Sequence, residues 1–400
     1  MSKKITPSLS ALSCFLFLVL VCVYPLHAYQ AIQSIEGKIR FFKHANTTFD
    51  SYSAKPDTRQ QKWMQSHYQR MLAYTPYFDA RLAWYPNAWF YMDSYAIYVD
   101  SETAKKHPEW ILRDEKNNVL YIPWECNGKC DQYAGDFGNP EFRKFKIEEI
   151  RAGLGKGYRG VWLDDVNLTW RVGDNKEQHI TPVDRRTGKL MALKDWQRYF
   201  AEFMEDIRAA FPNTEITHNA IWYADTMEVE NPLVSRQISA ANYINIERGG
   251  NDSGLTNGDG QWGYPTFLRY MDYVHQRGAG VILMDTGATP DEREYGLATA
   301  LLISNGNDLI SSNQPDWTTP DHWWSGYDVN LGAALNTRYT WRGLLRRDFE
   351  CGQVLVNQPN MPEQLVKLEG GFQRIDGSVL KKMQLAGKSA VILLKPCKPH

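Results

Sequence analysis

Short apolar runs recur along the chain, each closed by polar residues, with longer stretches of helical periodicity between them. Such a run, bounded by turn signals, reads as a buried strand of a parallel sheet. Apolar residues three and four apart read as an amphipathic helix. Strands are expected at 39–42, 87–93, 119–124, 161–163, 215–219, 243–247, 280–285 and 308–312. Helices are expected at 57–73, 140–154, 190–211, 229–239, 265–276 and 290–304. Pro140 and Pro265 suit first helical positions, where a missing N–H costs nothing. The polar stretch 251–262 reads as a solvated loop.

Eight strand candidates alternating with helices predict an α/β chain, folded as a (β/α)8 TIM barrel. A doubly wound open sheet is the structural alternative, but no dinucleotide fingerprint is present. The Gly-rich turn 153–157 precedes a strand instead of following one, so it is not a phosphate loop. Beyond about residue 346 the texture changes to short β-rich runs separated by Gly, Pro and Asn. These predict a small C-terminal antiparallel β domain. The expected organisation is a signal peptide at 1–28, a barrel at 29–345 and a β appendage at 346–400.

The N-terminus carries Lys3 and Lys4, then an apolar run over 11–23 and a small residue at Ala28. That order reads as a secretory signal. It places the chain in the periplasm, at the cell surface or outside the cell, with an uncleaved anchor as the alternative. No membrane span is expected once the signal is removed. Cys126 and Cys130 flank a tight turn and are expected to form a loop disulfide in an exported protein. Cys351 and Cys397 share the C-terminal segment, and the sequence leaves their pairing open.

The net charge of −1 provides no basic field, so nucleic acid is not an expected partner. Aromatic residues make up 13% of the chain, with 14 Trp and 22 Tyr, a surplus that suits stacking on sugar rings. No metal-ligand spacing and no cofactor motif is present, so neither is expected. A Ser-His-Asp hydrolase lacks its nucleophile elbow here.

Barrel enzymes place their chemistry at the C-terminal strand ends. The expected strands end in Asp93, in Asp164 and Asp165, in His218 and Asn219, in Glu247 and in Asp285. Two carboxyl groups flanking a glycosidic bond suffice to cut it, one as acid and one as nucleophile or base. Asp164 is the expected nucleophile or base, with Asp165 next. Side chains alternate along a strand, so one of the two should face the cleft and the other support it. Glu247 is the expected acid, unless Arg248 holds it ionised. Asp285 would steady positive charge in the transition state or cap a helix. Asp93, His218 and Asn219 would bind sugar hydroxyls. Trp170, Trp222, Tyr223 and Trp262 fall in expected loops and would line a sugar cleft.

The segments NAWFYMDSYAIYVDSE, GVWLDDV, YINIERGG and GVILMDTG carry a family resemblance. So does the tail, through FECGQVLVNQP, GGFQRIDG and AVILL. Over roughly 39–395 the chain resembles the TIM-barrel group called hypothetical glycosyl hydrolase family fifteen. In retaining α-glycosidase barrels an Asp ends strand four and an acid/base carboxylate ends strand six. The resemblance implies these roles for Asp164 (or Asp165) and Glu247. An amylase-like pattern would put an acid after strand five, where this chain has His218 and Asn219. Two rival readings stand beside an exported glycoside hydrolase. One is a non-catalytic carbohydrate-binding protein on a barrel scaffold, and the other is a hydrolase or lyase that processes exopolysaccharide.

Overall fold

A computed structural model describes residues 35–397, apart from 125, 127, 177, 221–230, 286 and 313–316. The expected signal peptide, Trp222 and Tyr223 lie outside the described residues. Eight parallel strands close a barrel: β1 (Arg40–Ala45), β2 (Tyr68–Ala73), β3 (Ala88–Asp93), β4 (Gly160–Asp164), β5 (Glu215–Asn219), β6 (Tyr243–Ile246), β7 (Gly280–Asp285) and β8 (Leu309–Ser312). They neighbour one another in chain order, and β1 pairs with β8 to shut the ring. The helices around it are α1 (Thr58–His67), α2 (Pro140–Leu154), α3 (Leu193–Ala210), α4 (Pro232–Ser239), α5 (Tyr264–Gln276) and α6 (Pro290–Ile303).

One helix expectation and one strand expectation need correction. The stretch 57–73 is not one helix. A capping box between Asp57 and Gln60 starts α1, and the chain turns extended at Tyr68. From Arg70 to Ala73 every side chain is buried, which a half-exposed helix cannot provide but a barrel strand can. The stretch 119–124 is outside the barrel. Its backbone instead makes isolated bridges, Tyr121 pairing with both Tyr133 and Gly173.

Alternation along each strand sorts the side chains. Phe42, Leu72, Trp89, Trp162, Ile282 and Leu309 point inward and fill the barrel with one apolar cluster. Phe42 stacks on Trp162 with ring centroids 5.1 Å apart. Below this layer Glu215 accepts from Arg70 Nε at 2.7 Å, Arg159 Nε at 2.9 Å and Trp89 Nε1 at 2.8 Å. Burial opposes ionisation of Glu215, but the Arg70 hydrogen bonds, the charges of Arg70 and Arg159 and the Trp89 hydrogen bond together outweigh it and hold its pKa below the usual value.

Two long loops build the wall above β3 and β4. The first spans 94–139 and includes a short antiparallel pair, Ala96–Tyr98 with Gln132–Ala134, and the Cys126–Cys130 disulfide. The second spans 165–192. Tyr121 and Gly173 exchange both backbone hydrogen bonds at 2.9 Å and join the two loops.

After the barrel the chain forms a six-stranded antiparallel sheet from β9 (Tyr339–Trp341), β10 (Leu344–Phe349), β11 (Gly352–Asn357), β12 (Gln364–Arg374), β13 (Val379–Leu385) and β14 (Ser389–Leu394). It sits on α6, where Glu294 accepts from Ile392 N and pairs with Arg374, both at 2.8 Å. Cys351 and Cys397 form a second disulfide within this segment. Among the described residues no helix is long and apolar enough to cross a membrane.

Candidate active site

A cavity of about 730 Å³ opens at the C-terminal ends of the strands. Phe42, Leu72, Trp162 and Met284 supply its apolar floor, and Asp93, Asp164, Asp165 and Glu247 line it above. Asp164 is the last residue of β4, two positions after inward-facing Trp162. Three donors fix its carboxylate. Tyr91 Oη gives to Oδ2 at 2.7 Å, and Asn219 Nδ2 and the Asp165 backbone give to Oδ1 at 2.7 and 2.8 Å.

Asn219 Nδ2 also donates to Glu247 Oε1 at 2.9 Å. One amide nitrogen therefore joins the two carboxyl groups. Two acceptors on the diverging hydrogens of one NH2 group stand about 5 Å apart at such lengths. The Asn219 amide is oriented in turn by Asn245 Nδ2, which donates to its Oδ1 at 2.7 Å. Asn245 is fully buried.

Glu247 is accessible from the cavity, yet the barrel mouth removes enough water from it to raise its pKa. The charge of Asp164 adds to the rise, and the Asn219 hydrogen bond opposes it. Arg248 turns away, bonding Asp252 at 2.6 Å and lying 4.8 Å over the Trp262 ring. Its charge favours the ionised form of Glu247, but the net shift is still upward.

Asp165 departs from simple alternation because its φ is 56°. This left-handed conformation costs an L-residue on the order of 1 kcal/mol or more, though Asp tolerates it better than most. It turns the side chain into the cavity wall, where Asp165 hydrogen-bonds Asp93. Burial and the charges of Asp93 and Asp164 push Asp165 well above the carboxylate range. Burial, then the Asp164 charge, pushes Asp93 up to about 6, against two backbone hydrogen bonds from Tyr95 and Ala96. Both shifts favour keeping a proton on this pair to higher pH than an isolated carboxylate would.

The structure thus brings together Asp93, Asp164, Asp165, Asn219 and Glu247. It separates four other expected residues from them. Asp285 follows inward-facing Ile282 and Met284 out of phase, so it points away from the cavity. It packs against α6, where a Cβ on Gly296 would lie 1.7 Å from its Oδ2, and it accepts from Asn251 at 2.9 Å. His218 faces outward between inward-facing Thr217 and Asn219. It is fully buried, and burial lowers its pKa to about 3. Trp170 and Trp262 are half-buried against the core and do not line the cavity.

Four contributors were missed by sequence reasoning. Tyr91 and Asn245 each precede a strand-end acid by two, so period-two alternation would have found them. His44 follows inward-facing Phe42 by two on β1, and Ser311 follows Leu309 by two on β8. His44 Nε2 and Ser311 Oγ are buried in the cavity wall without a partner among the described residues. In the strand order β1 and β8 lie across the barrel from β4 and β5. Burial, then the charge of Lys43, lowers the His44 pKa.

A closed (β/α)8 barrel with paired carboxyl groups at the ends of its fourth and sixth strands is the architecture of a glycoside hydrolase. The profile of hypothetical glycosyl hydrolase family 15 matches residues 70–353, and the chain belongs to that family. The chain is also similar to solved structures, the first of which below agrees on the fold. A noncanonic maltogenic alpha-amylase, AmyB from Thermotoga neapolitana, aligns with TM-score 0.50 and 13% identity over 90% of this chain and 99% of that one. The glycoside hydrolase domain of PelA from Pseudomonas aeruginosa aligns with TM-score 0.41 and 14% identity over 69% and 94%. The alpha-galactosidase from Lactobacillus brevis aligns with TM-score 0.47 and 11% identity over 91% and 56%. Comparison with curated protein sequences gave no match.

Proposed function

We propose that this glycoside hydrolase is exported and cuts a polysaccharide or oligosaccharide with retention of configuration. Asp164 is the nucleophile and Glu247 the acid/base. The observation that carries the reading is the Asn219 amide shared by the two carboxyl groups. Retaining enzymes hold their carboxyl groups about 5–5.5 Å apart, and inverting ones about 6.5–9.5 Å. A spacing near 5 Å leaves no room for a water between acid and base.

In the first step an Asp164 oxygen bonds to the anomeric carbon as the glycosidic C–O bond breaks. The Glu247 proton goes to the departing oxygen. In the second step Glu247 takes a proton from water, the water oxygen bonds to the anomeric carbon, and the Asp164 ester breaks. A raised Glu247 pKa suits the first step, because it keeps the acid protonated at higher pH. The Asp93–Asp165 pair supports Asp164 from behind. His44 and Ser311 face the sugar from the opposite wall and bond its hydroxyls. The signal at 1–28, the barrel at 29–345 and the appendage at 346–400 belong to the same proposal. Two disulfides support an oxidising destination.

The test is reducing-end release from amylose, pullulan, dextran, galactomannan, chitosan and alginate, with Asp164→Asn and Glu247→Gln alongside. Wild-type release that both variants lose while folded supports the pair. The first-formed product should keep the anomeric configuration of the substrate by NMR. An inverted product removes Asp164 as nucleophile. Binding without release from any polymer favours the carbohydrate-binding reading.

A further inference from the structure

A second cavity, of about 470 Å³, lies between β3 and α2. Tyr74, Tyr91, Asp93 and Tyr98 line both this cavity and the one that holds the carboxyl groups. The two depressions are therefore neighbours, divided by that group of side chains. Tyr74 is 37% exposed and Tyr98 58% exposed, so the divide is topped by open aromatic rings. Trp124, 47% exposed, lines the first cavity, and Arg171 lies 5.1 Å over its ring. Exposed Tyr and Trp cost free energy on a soluble surface, and clustering at one place marks a binding surface. Among the described residues the other exposed aromatics are only Trp317 and Tyr339.

The second cavity has the composition of a sugar site. Phe90, Met92 and Phe145 offer apolar faces, and Thr103, Lys146 and Glu149 offer hydrogen bonds. Lys146 and Glu149 pair at 2.9 Å, with the Lys146 side chain 6% exposed. Lys156, the other lysine of this lining, pairs with Asp79 at 2.9 Å, so each lysine here is matched by a carboxylate. Sugar rings match this alternation, with C–H faces for aromatic planes and hydroxyls for the polar rim.

We infer that the two cavities form one groove, and that a neutral glycan chain crosses Tyr74 and Tyr98 with sugar units in both. The site then engages several units beyond the bond it cuts, as an enzyme acting within a chain requires. The position of that bond rests on the Asp164–Glu247 reading, but the groove does not.

The test separates the two by measuring binding. Full-length Asp164→Asn chain is run through native gels containing amylose, pullulan, dextran or galactomannan. Retardation is expected in at least one. Thr103→Trp, which fills the second cavity alone, and Tyr98→Ala should each weaken that retardation at least fivefold with an unchanged Tm. Retardation that survives both changes overturns the groove, and so does the absence of retardation in all four gels. Loss of retardation in both variants, with no cleavage of that polymer by wild type, keeps the groove and sinks the hydrolytic assignment of the pair.

Discussion

Asn245 donates its side-chain amide to Asn219 at 2.7 Å, and this bond decides which end of the Asn219 amide faces the carboxyl groups. With Oδ1 occupied, only Nδ2 is left to meet Asp164 and Glu247. Asn245→Ala should free the amide to turn, placing an oxygen against two carboxyl oxygens. The expected loss in kcat/KM is roughly five- to thirtyfold, the worth of one such hydrogen bond at about 1–2 kcal/mol. Because the Asn219 bond opposes the rise in the Glu247 pKa, the basic limb of the pH profile should also move to higher pH. An unshifted limb would show that Asn245 acts only through stability.

The Asp93–Asp165 pair sets a stability dependence on pH. Both folded-state pKa values are raised, Asp93 to about 6. The folded chain then holds protons that the unfolded chain has released, so this pair's contribution falls as pH rises from the ordinary carboxylate range through 6. Asp165→Asn removes one acid, tolerates the positive φ and can donate to Asp93. Its Tm should exceed that of wild type by roughly 2–4 °C at pH 8, with the gap closing at pH 4. A gap that widens toward acid would contradict the shared proton.

Glu215 presents the opposite case at the barrel floor. Its lowered pKa gives stability that is present above the unfolded value and lost as pH falls through the folded one. Glu215→Ala leaves Arg70, whose side chain is 4% exposed, without its carboxylate partner. The expected cost is about 3–5 kcal/mol by denaturant unfolding, with KM unchanged in whatever enzyme remains folded.

The barrel was legible because its strands are apolar runs of a length that only a buried sheet uses. The count of eight, however, came out through two offsetting errors. Tyr68–Ala73 was absorbed into a helix because Gln69 and Arg70 look solvent-facing, whereas Arg70 is a buried ion-pair partner. Residues 119–124 looked like a strand because bridges within a loop need the same apolar, β-branched residues. The errors cancelled before β4, so Asp164 and Glu247 were placed on the correct strands.

The site was half legible for a related reason. Strand ends identify the right level of the barrel but not the right side of the sheet. Asp285 and His218 stand at that level and face outward. Asp93, Asn219 and Glu247 stand there and face in. The period-two count from Trp162, Met284 and Thr217 separates them. Asp165 escapes that count through a backbone turn that no spacing reveals. Of the four aromatics expected at the rim, Trp222 and Tyr223 lie outside the described residues, and Trp170 and Trp262 lie off the cavity because exposure depends on the path of the loops. Tyr98 and Trp124 lie in the long first loop, where hydrophobic pattern carries little information.

The mutual backbone bonds of Tyr121 and Gly173 weld the two longest loops into one slab. Tyr98, Trp124 and Arg171 at the entrance belong to that slab, while Asp164 and Glu247 stand at strand ends. Substrate preference can then drift during evolution by remodelling the slab alone, while the bond-breaking apparatus passes unchanged from one preference to the next.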